Sequence, residues 1–236
     1  MSSTKGVSEL QTHLDFISEN KDELIKTCVL SIAAFWAMAF NVHRVADFVC
    51  KLIVSRNPNS SAKIYLNSSS DKKWNYIQAH QSTLFAIATF AYCWYTIVSC
   101  DPPAEERIDD GLLGNTLFRN NYCKTQMSLS QIKLIVIFMS YMLYDISLLL
   151  FTMNEFPSSV MEAFYHHSVS LYGSIVGIYC GRFLGVVCAS TILTEFSTPF
   201  VNNRWLLKFH EKADGSAYFW NGWAMTISFF IFRIVY

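Results

Sequence analysis

The chain has 236 residues, 52% of them hydrophobic and 16% aromatic but only 15% charged. A water-soluble domain of this length needs more charge to wet its surface, so the composition implies a polytopic membrane protein. Its 18 basic residues balance 18 acidic ones, and without a basic excess no nucleic-acid partner is expected.

Residues 1–23 form a polar, acidic N-terminal tail with no basic stretch leading into an apolar one, so no cleavable signal is expected and the first span itself directs insertion. A spanning helix needs about 20 mostly apolar residues. The segments that meet this are Leu24–Val42, Trp74–Val98, Ile132–Phe151, Pro157–Gly181, Phe183–Thr198 and Tyr218–Tyr236. Backbone groups in lipid must be satisfied within a segment, and these runs are too long for barrel strands. The fold class expected is therefore all-α, a polytopic membrane helical bundle of about six spans. Residues 24–70 hold the first span and a basic loop. In that stretch Val45, Phe48, Val49 and Leu52 share one face and Arg44, Asp47 and Lys51 another, the pattern of an interfacial amphipathic continuation.

Orientation follows from the basic residues between spans. Lys51, Arg56, Lys63, Lys72 and Lys73 crowd loop one, and Arg204, Lys208 and Lys212 fall in loop five. Loop two, residues 99–131, is richer in acids: Asp101, Glu105, Glu106, Asp109 and Asp110. The odd loops are expected in the cytoplasm and the N-terminus in the lumen, which would leave the sequons at Asn59 and Asn67 unused. Most of the seven cysteines sit in apolar runs as packing residues; Cys100 and Cys123 share loop two and can pair if that loop is lumenal.

Ionisable side chains at membrane depth are costly and mark function. The adjacent His166 and His167 in YHHSVSL lie in the fourth span, and Asp145 lies in the third. At ~1.5 Å per residue the histidines and Asp145 sit at depths of roughly 14 Å and 10 Å from the same membrane face. Residues adjacent in a helix diverge by about 100°, so only one histidine can point at Asp145. Glu195 and His80 fall in the same half of the membrane, and together these groups describe a polar cavity open to the cytoplasm. Neighbouring histidines are poor metal spacing, Glu162 and His166 have no matching second pair, and no phosphate-binding glycine loop occurs. Neither a metal nor a bound cofactor is expected.

Four segments, YMLYDISLLL, YHHSVSL, RFLGVVCASTILTEFSTPFVNNRWLLKF and FFIFRIVY, with WNYIQAHQS before them, resemble the TLC domain shared by ceramide synthases and related membrane proteins. The resemblance covers residues 71–236. It implies that FFIFRIVY belongs to the fifth TLC helix and that the final TLC helix is missing, leaving the domain incomplete at its C-terminus. It also implies an endoplasmic reticulum membrane location and a role in membrane lipid homeostasis. His166, His167 and Asp145 would be catalytic if the chain is an enzyme, whereas His80, Tyr144, Thr194, Glu195, Thr198, Asn202 and Arg204 would line the cavity and bind lipid. In the synthases the motif after the paired histidines adds a His-Asp and a second Asp; Thr194, Glu195 and Thr198 stand there instead, keeping one acid. The reading that follows is a lipid-binding or lipid-sorting protein with membrane lipids as its partners. The alternatives are an N-acyltransferase taking acyl-CoA as co-substrate and, more distantly, a cargo receptor or translocation accessory. Whether it self-associates is left open.

Overall fold

A computed structural model of the chain describes residues 2–98, 104–107, 116, 119–152 and 158–235. The described elements are helices: α1 (Ser2–Glu19), α2 (Lys21–Arg56), α3 (Ala62–Asn67), α4 (Ser70–Val98), α5 (Asn121–Thr125), α6 (Leu129–Thr152), α7 (Ser158–Cys180), α8 (Arg182–Thr191), α9 (Thr198–Phe209) and α10 (Ser216–Phe229). No strand occurs among the described residues. Every expected span is helical over its described residues except at Gly181, the end of the fourth, so the all-α class holds.

Two details depart from the sequence reading. Among the described residues, three helical stretches are long and apolar enough to cross a membrane, Lys21–Arg56, Leu129–Phe151 and Leu184–Phe209. Helices α4 and α7, at 29 and 23 residues, have the length of a span with a less apolar sequence. The amphipathic stretch after the first span continues the same helix, since α2 runs unbroken for 36 residues and so extends well past Val42. Its apolar side chains face outward, Val29 at 59% and Phe48 at 67% exposure, as suits a helix whose outer surface meets lipid. The fifth expected span does not stop at Thr198. A 3-10 turn over Ile192–Ser197 leads into α9, so Arg204 and Lys208, read as loop residues, are helical. Pro199 occupies the first turn of α9, where a missing N–H costs nothing, so it begins a helix where the sequence reading ended one.

The chain divides into two compact units. The first comprises Met1–Ala33, Thr89–Ile146 and Met161–Leu193. Its core holds Cys93, Ile132, Leu134, Ile135 and Leu193, nearly all solvent-free. The Cys93 thiol donates to the Ala189 carbonyl at 3.2 Å, joining α4 to α8. Ser128 and Gln131 cap α6 reciprocally, the Ser128 N–H reaching the Gln131 side chain at 3.0 Å and the Gln131 N–H the Ser128 hydroxyl at 3.3 Å. The polar N-terminal segment is helical too: His13 on α1 is buried, and its Nε2 donates to the Ile178 carbonyl on α7 at 2.8 Å. Cys123 is disulfide-bonded, whereas Cys28, Cys50, Cys93, Cys180 and Cys188 are free. Cys100, like Asp101, Asp109 and Asp110, lies outside the described residues.

The second unit comprises Ala34–Ala88, Ser147–Val160 and Thr194–Tyr236. Gln81 on α4 donates to the Phe35 carbonyl of α2 at 2.7 Å beside an edge-on Phe35–Phe85 contact. Asn203 on α9 donates to the Asn221 side chain on α10 at 2.8 Å, and Asn221 donates on to the Phe200 carbonyl at 2.8 Å. This amide chain satisfies polar groups that would be costly in an apolar setting. Tyr65 of α3 is fully buried against Tyr76, near the Asp47 carboxylate. Burial, and then the Asp47 carboxylate, push its phenol well above the ordinary tyrosine range.

Candidate functional site

In the first unit α6 and α7 bring Asp145 and His167 together. Nδ1 of His167 lies 2.7 Å from Oδ2 of Asp145, whose side chain has 0% exposure. The expected pairing of Asp145 with one histidine is thus made by His167. His166, rotated about 100° further round α7, faces outward and is exposed. The two imidazole centroids are 5.5 Å apart. Tyr144 precedes Asp145 and is fully buried, its ring 6.0 Å from Tyr141.

This arrangement has a defined chemistry. With Nδ1 set against the carboxylate, Nε2 is left as the nitrogen that can contact a ligand. A neutral His167 can take a proton at Nε2, and a protonated one can donate from it to a lipid phosphate or carbonyl oxygen.

The other candidates fall in the second unit and form a polar stripe on two helices. The Thr198 hydroxyl donates to Oε2 of Glu195 at 2.7 Å, so the carboxylate is held at the start of α9. One turn along the same face, Asn202 donates to the Thr83 hydroxyl of α4 at 3.1 Å. Thr83 in turn lies three residues from His80, on the His80 face of α4. His80 itself turns back, Nδ1 donating to the Tyr76 carbonyl at 2.8 Å with the two rings 4.4 Å apart. The Thr194 carbonyl accepts from the Ser197 hydroxyl at 2.9 Å. Arg204 leaves the stripe, its guanidinium 3.8 Å over the Tyr218 ring of α10. Thr83 was missed in the sequence because a threonine in an apolar helix carries no signal of its own. Asp47, an acid within the apolar run of α2, did carry one.

His210, just past α9, was also unforeseen. Burial, then Lys212 and His80, depress its basicity below the ordinary histidine value of 6.5. A depressed pKa means that the folded state binds fewer protons than the unfolded one, so stability rises with pH through this range. The contribution is present above about pH 6.5 and is lost as pH falls from there toward the depressed value. Thermal unfolding of purified protein between pH 5 and 7.5 should therefore show a midpoint that climbs with pH, and His210→Phe should flatten part of that slope.

No group of three or more His, Cys, Asp or Glu side chains able to hold a metal occurs among the described residues. Its long apolar helices, joined to a buried histidine–carboxylate pair, define the chain as a multi-pass helical membrane protein with a polar site. The TLC domain matches residues 74–236, and the chain belongs to the TLC domain family. It is similar to TLC domain-containing protein 4-B of Xenopus laevis, with 35% identity over 104 residues. The match covers 40% of this chain and spans about a third, 35%, of that relative's length. No solved structure matches.

Proposed function

We propose that the chain serves membrane lipid homeostasis in the endoplasmic reticulum by binding or sorting lipid at an intramembrane polar site centred on His167 and Asp145. The observation that carries this reading is a fully buried carboxylate held by an imidazole at 2.7 Å, since buried ionisable groups in spanning helices serve ligand or ion handling far more often than packing. The α4–α9 stripe of His80, Thr83, Thr198 and Asn202 offers hydroxyl and amide groups suited to a lipid headgroup. At the positions where ceramide synthases carry a His-Asp and a second Asp, Glu195 is occupied by Thr198, which favours binding over turnover. The second reading, an acyl-CoA dependent N-acyltransferase, draws on the same pair, because a histidine polarised by a carboxylate is a competent general base.

Incubating purified protein with long-chain acyl-CoA and a panel of amine lipids separates the two. Lipid handling predicts no acylated product. Robust product formation that disappears in His167→Gln, which keeps a hydrogen bond to Asp145 but cannot accept a proton, would establish the acyltransferase. Orientation has its own test. The basic loop one and the bridged Cys123, a linkage of oxidising compartments, support a cytoplasmic loop one and a lumenal N-terminus. Asn59 and Asn67 should remain unglycosylated in microsomes, while a sequon engineered at Glu105 should be modified. The reverse pattern would invert the topology.

A further inference from the structure

The first unit also contains a cavity of about 820 Å³, within the size range of small-molecule sites. Its walls come from α1, the C-terminal end of α4 and the segment from α5 into α6. Four aromatic rings, Phe16, Tyr92, Tyr95 and Tyr122, line it together with Lys133 and Ser130. None of these residues belongs to the histidine–carboxylate pair.

The charges around this cavity are arranged as a dipole. Lys133 supplies a cation in the first turns of α6 and is ion-paired with Glu23. Outside the lining, the exposed Glu106 and Glu105 lie near enough to Tyr122 to add to the effect of burial on its phenol. A simple anion would meet a lysine already shared with one acid and two further acids close by. A simple cation would gain the rings and meet the lysine. A zwitterion whose two charges are a few bonds apart satisfies both signs of charge. A quaternary ammonium gains most from a set of aromatic faces, because it is too weakly hydrated to lose much on leaving water.

We propose that this cavity takes a phosphocholine headgroup, with the trimethylammonium among Phe16, Tyr92, Tyr95 and Tyr122 and the phosphate against Lys133 and Ser130. Tyrosines at the ends of spanning helices sit at headgroup level, which makes a membrane lipid the natural source; soluble phosphocholine presents the same chemistry.

The test uses the full chain purified in detergent and incubated with phosphatidylglycerol vesicles carrying equal minor fractions of phosphatidylcholine and phosphatidylethanolamine. The protein is re-isolated and its retained lipids are measured by mass spectrometry. Phosphatidylcholine should be retained about fivefold over phosphatidylethanolamine, the scale of one partly desolvated cation–π contact. Tyr122→Leu should bring the ratio to parity while Tyr122→Phe preserves it, and Lys133→Met should lower retention of both lipids. Tyr95, 57% exposed, gives a second variant, Tyr95→Leu, that disturbs no core. Displacement by free phosphocholine would support the headgroup chemistry with a soluble source, and retention without displacement would assign the site to the lipid. Parity in the unaltered chain, or a preference that neither leucine variant moves, would overturn the proposal. A preference lost in His167→Gln but kept in both leucine variants would overturn it while leaving the reading of the histidine pair intact.

Discussion

His167→Ala is expected to cost about 3–5 kcal/mol of stability, the scale measured when one partner of a buried ion pair is removed. The reason lies in what remains. Asp145 has 0% exposure, so without the imidazole its carboxylate loses its ion-pair partner in a low-dielectric setting. Asp145→Asn should be milder, because the amide oxygen can still accept a hydrogen bond and no buried charge is left without a partner. Replacing both residues, Asp145→Leu with His167→Leu, should recover most of the loss, since an apolar pair of similar volume leaves no orphaned charge. Thermal unfolding of the three variants beside the unaltered chain in one detergent checks the ordering. A His167→Ala midpoint equal to that of the unaltered chain would mean that the pair contributes nothing to the fold.

Gly181→Ala should be comparably damaging for a different reason. Gly181 joins α7 to α8 at φ 56° and ψ −151°, a region essentially closed to other residues and costing about 1–3 kcal/mol when forced. A Cβ there would also lie 2.2 Å from Nε2 of His13, displacing α1 from its hydrogen bond to Ile178 and adding about 1–3 kcal/mol of overpacking. His13→Ala in the Gly181→Ala background should relieve the clash and leave the backbone strain, recovering part of the loss. Gly173→Ala is the control. It has nothing within 4 Å of the added Cβ and lies within α7, so it should be neutral or stabilising by up to about 1 kcal/mol. A fully stable Gly181→Ala would show that α1 does not dock as described.

What could be read from the residues alone divides along physical lines. Apolar runs of spanning length announced α2 and α6, because lipid imposes a simple length requirement. The pairing across α6 and α7 was legible because depth along a helix is fixed by residue count. Which histidine makes it was not, since 100° between neighbours becomes informative only once the partner helix is in place. The end set for the fifth span at Thr198 was misleading, because the proline that follows it serves equally well at the first turn of a further helix. Helix α1 was hidden by its polarity: Val7, Leu10, Leu14 and Ile17 keep a helical spacing but are too few among polar neighbours to make a span, and the bond from His13 that ties it down goes to a carbonyl 165 residues away. His80, Glu195, Thr198 and Asn202 of the α4–α9 stripe were named from the sequence, but Thr83 and the aromatic cavity were invisible, as their members come from distant segments and carry no local pattern.

The most direct test of a lipid-handling role is mass spectrometry of the lipids that co-purify with the unaltered chain and with the Asp145→Leu, His167→Leu double variant, each compared with the membranes from which it was extracted. The double variant is the right comparison because it keeps the packing while removing the polar pair. The account predicts one lipid class enriched several-fold on the unaltered chain and returned to the membrane average in the variant. Identical lipid profiles from a folded variant would contradict it and leave the buried pair a structural element only.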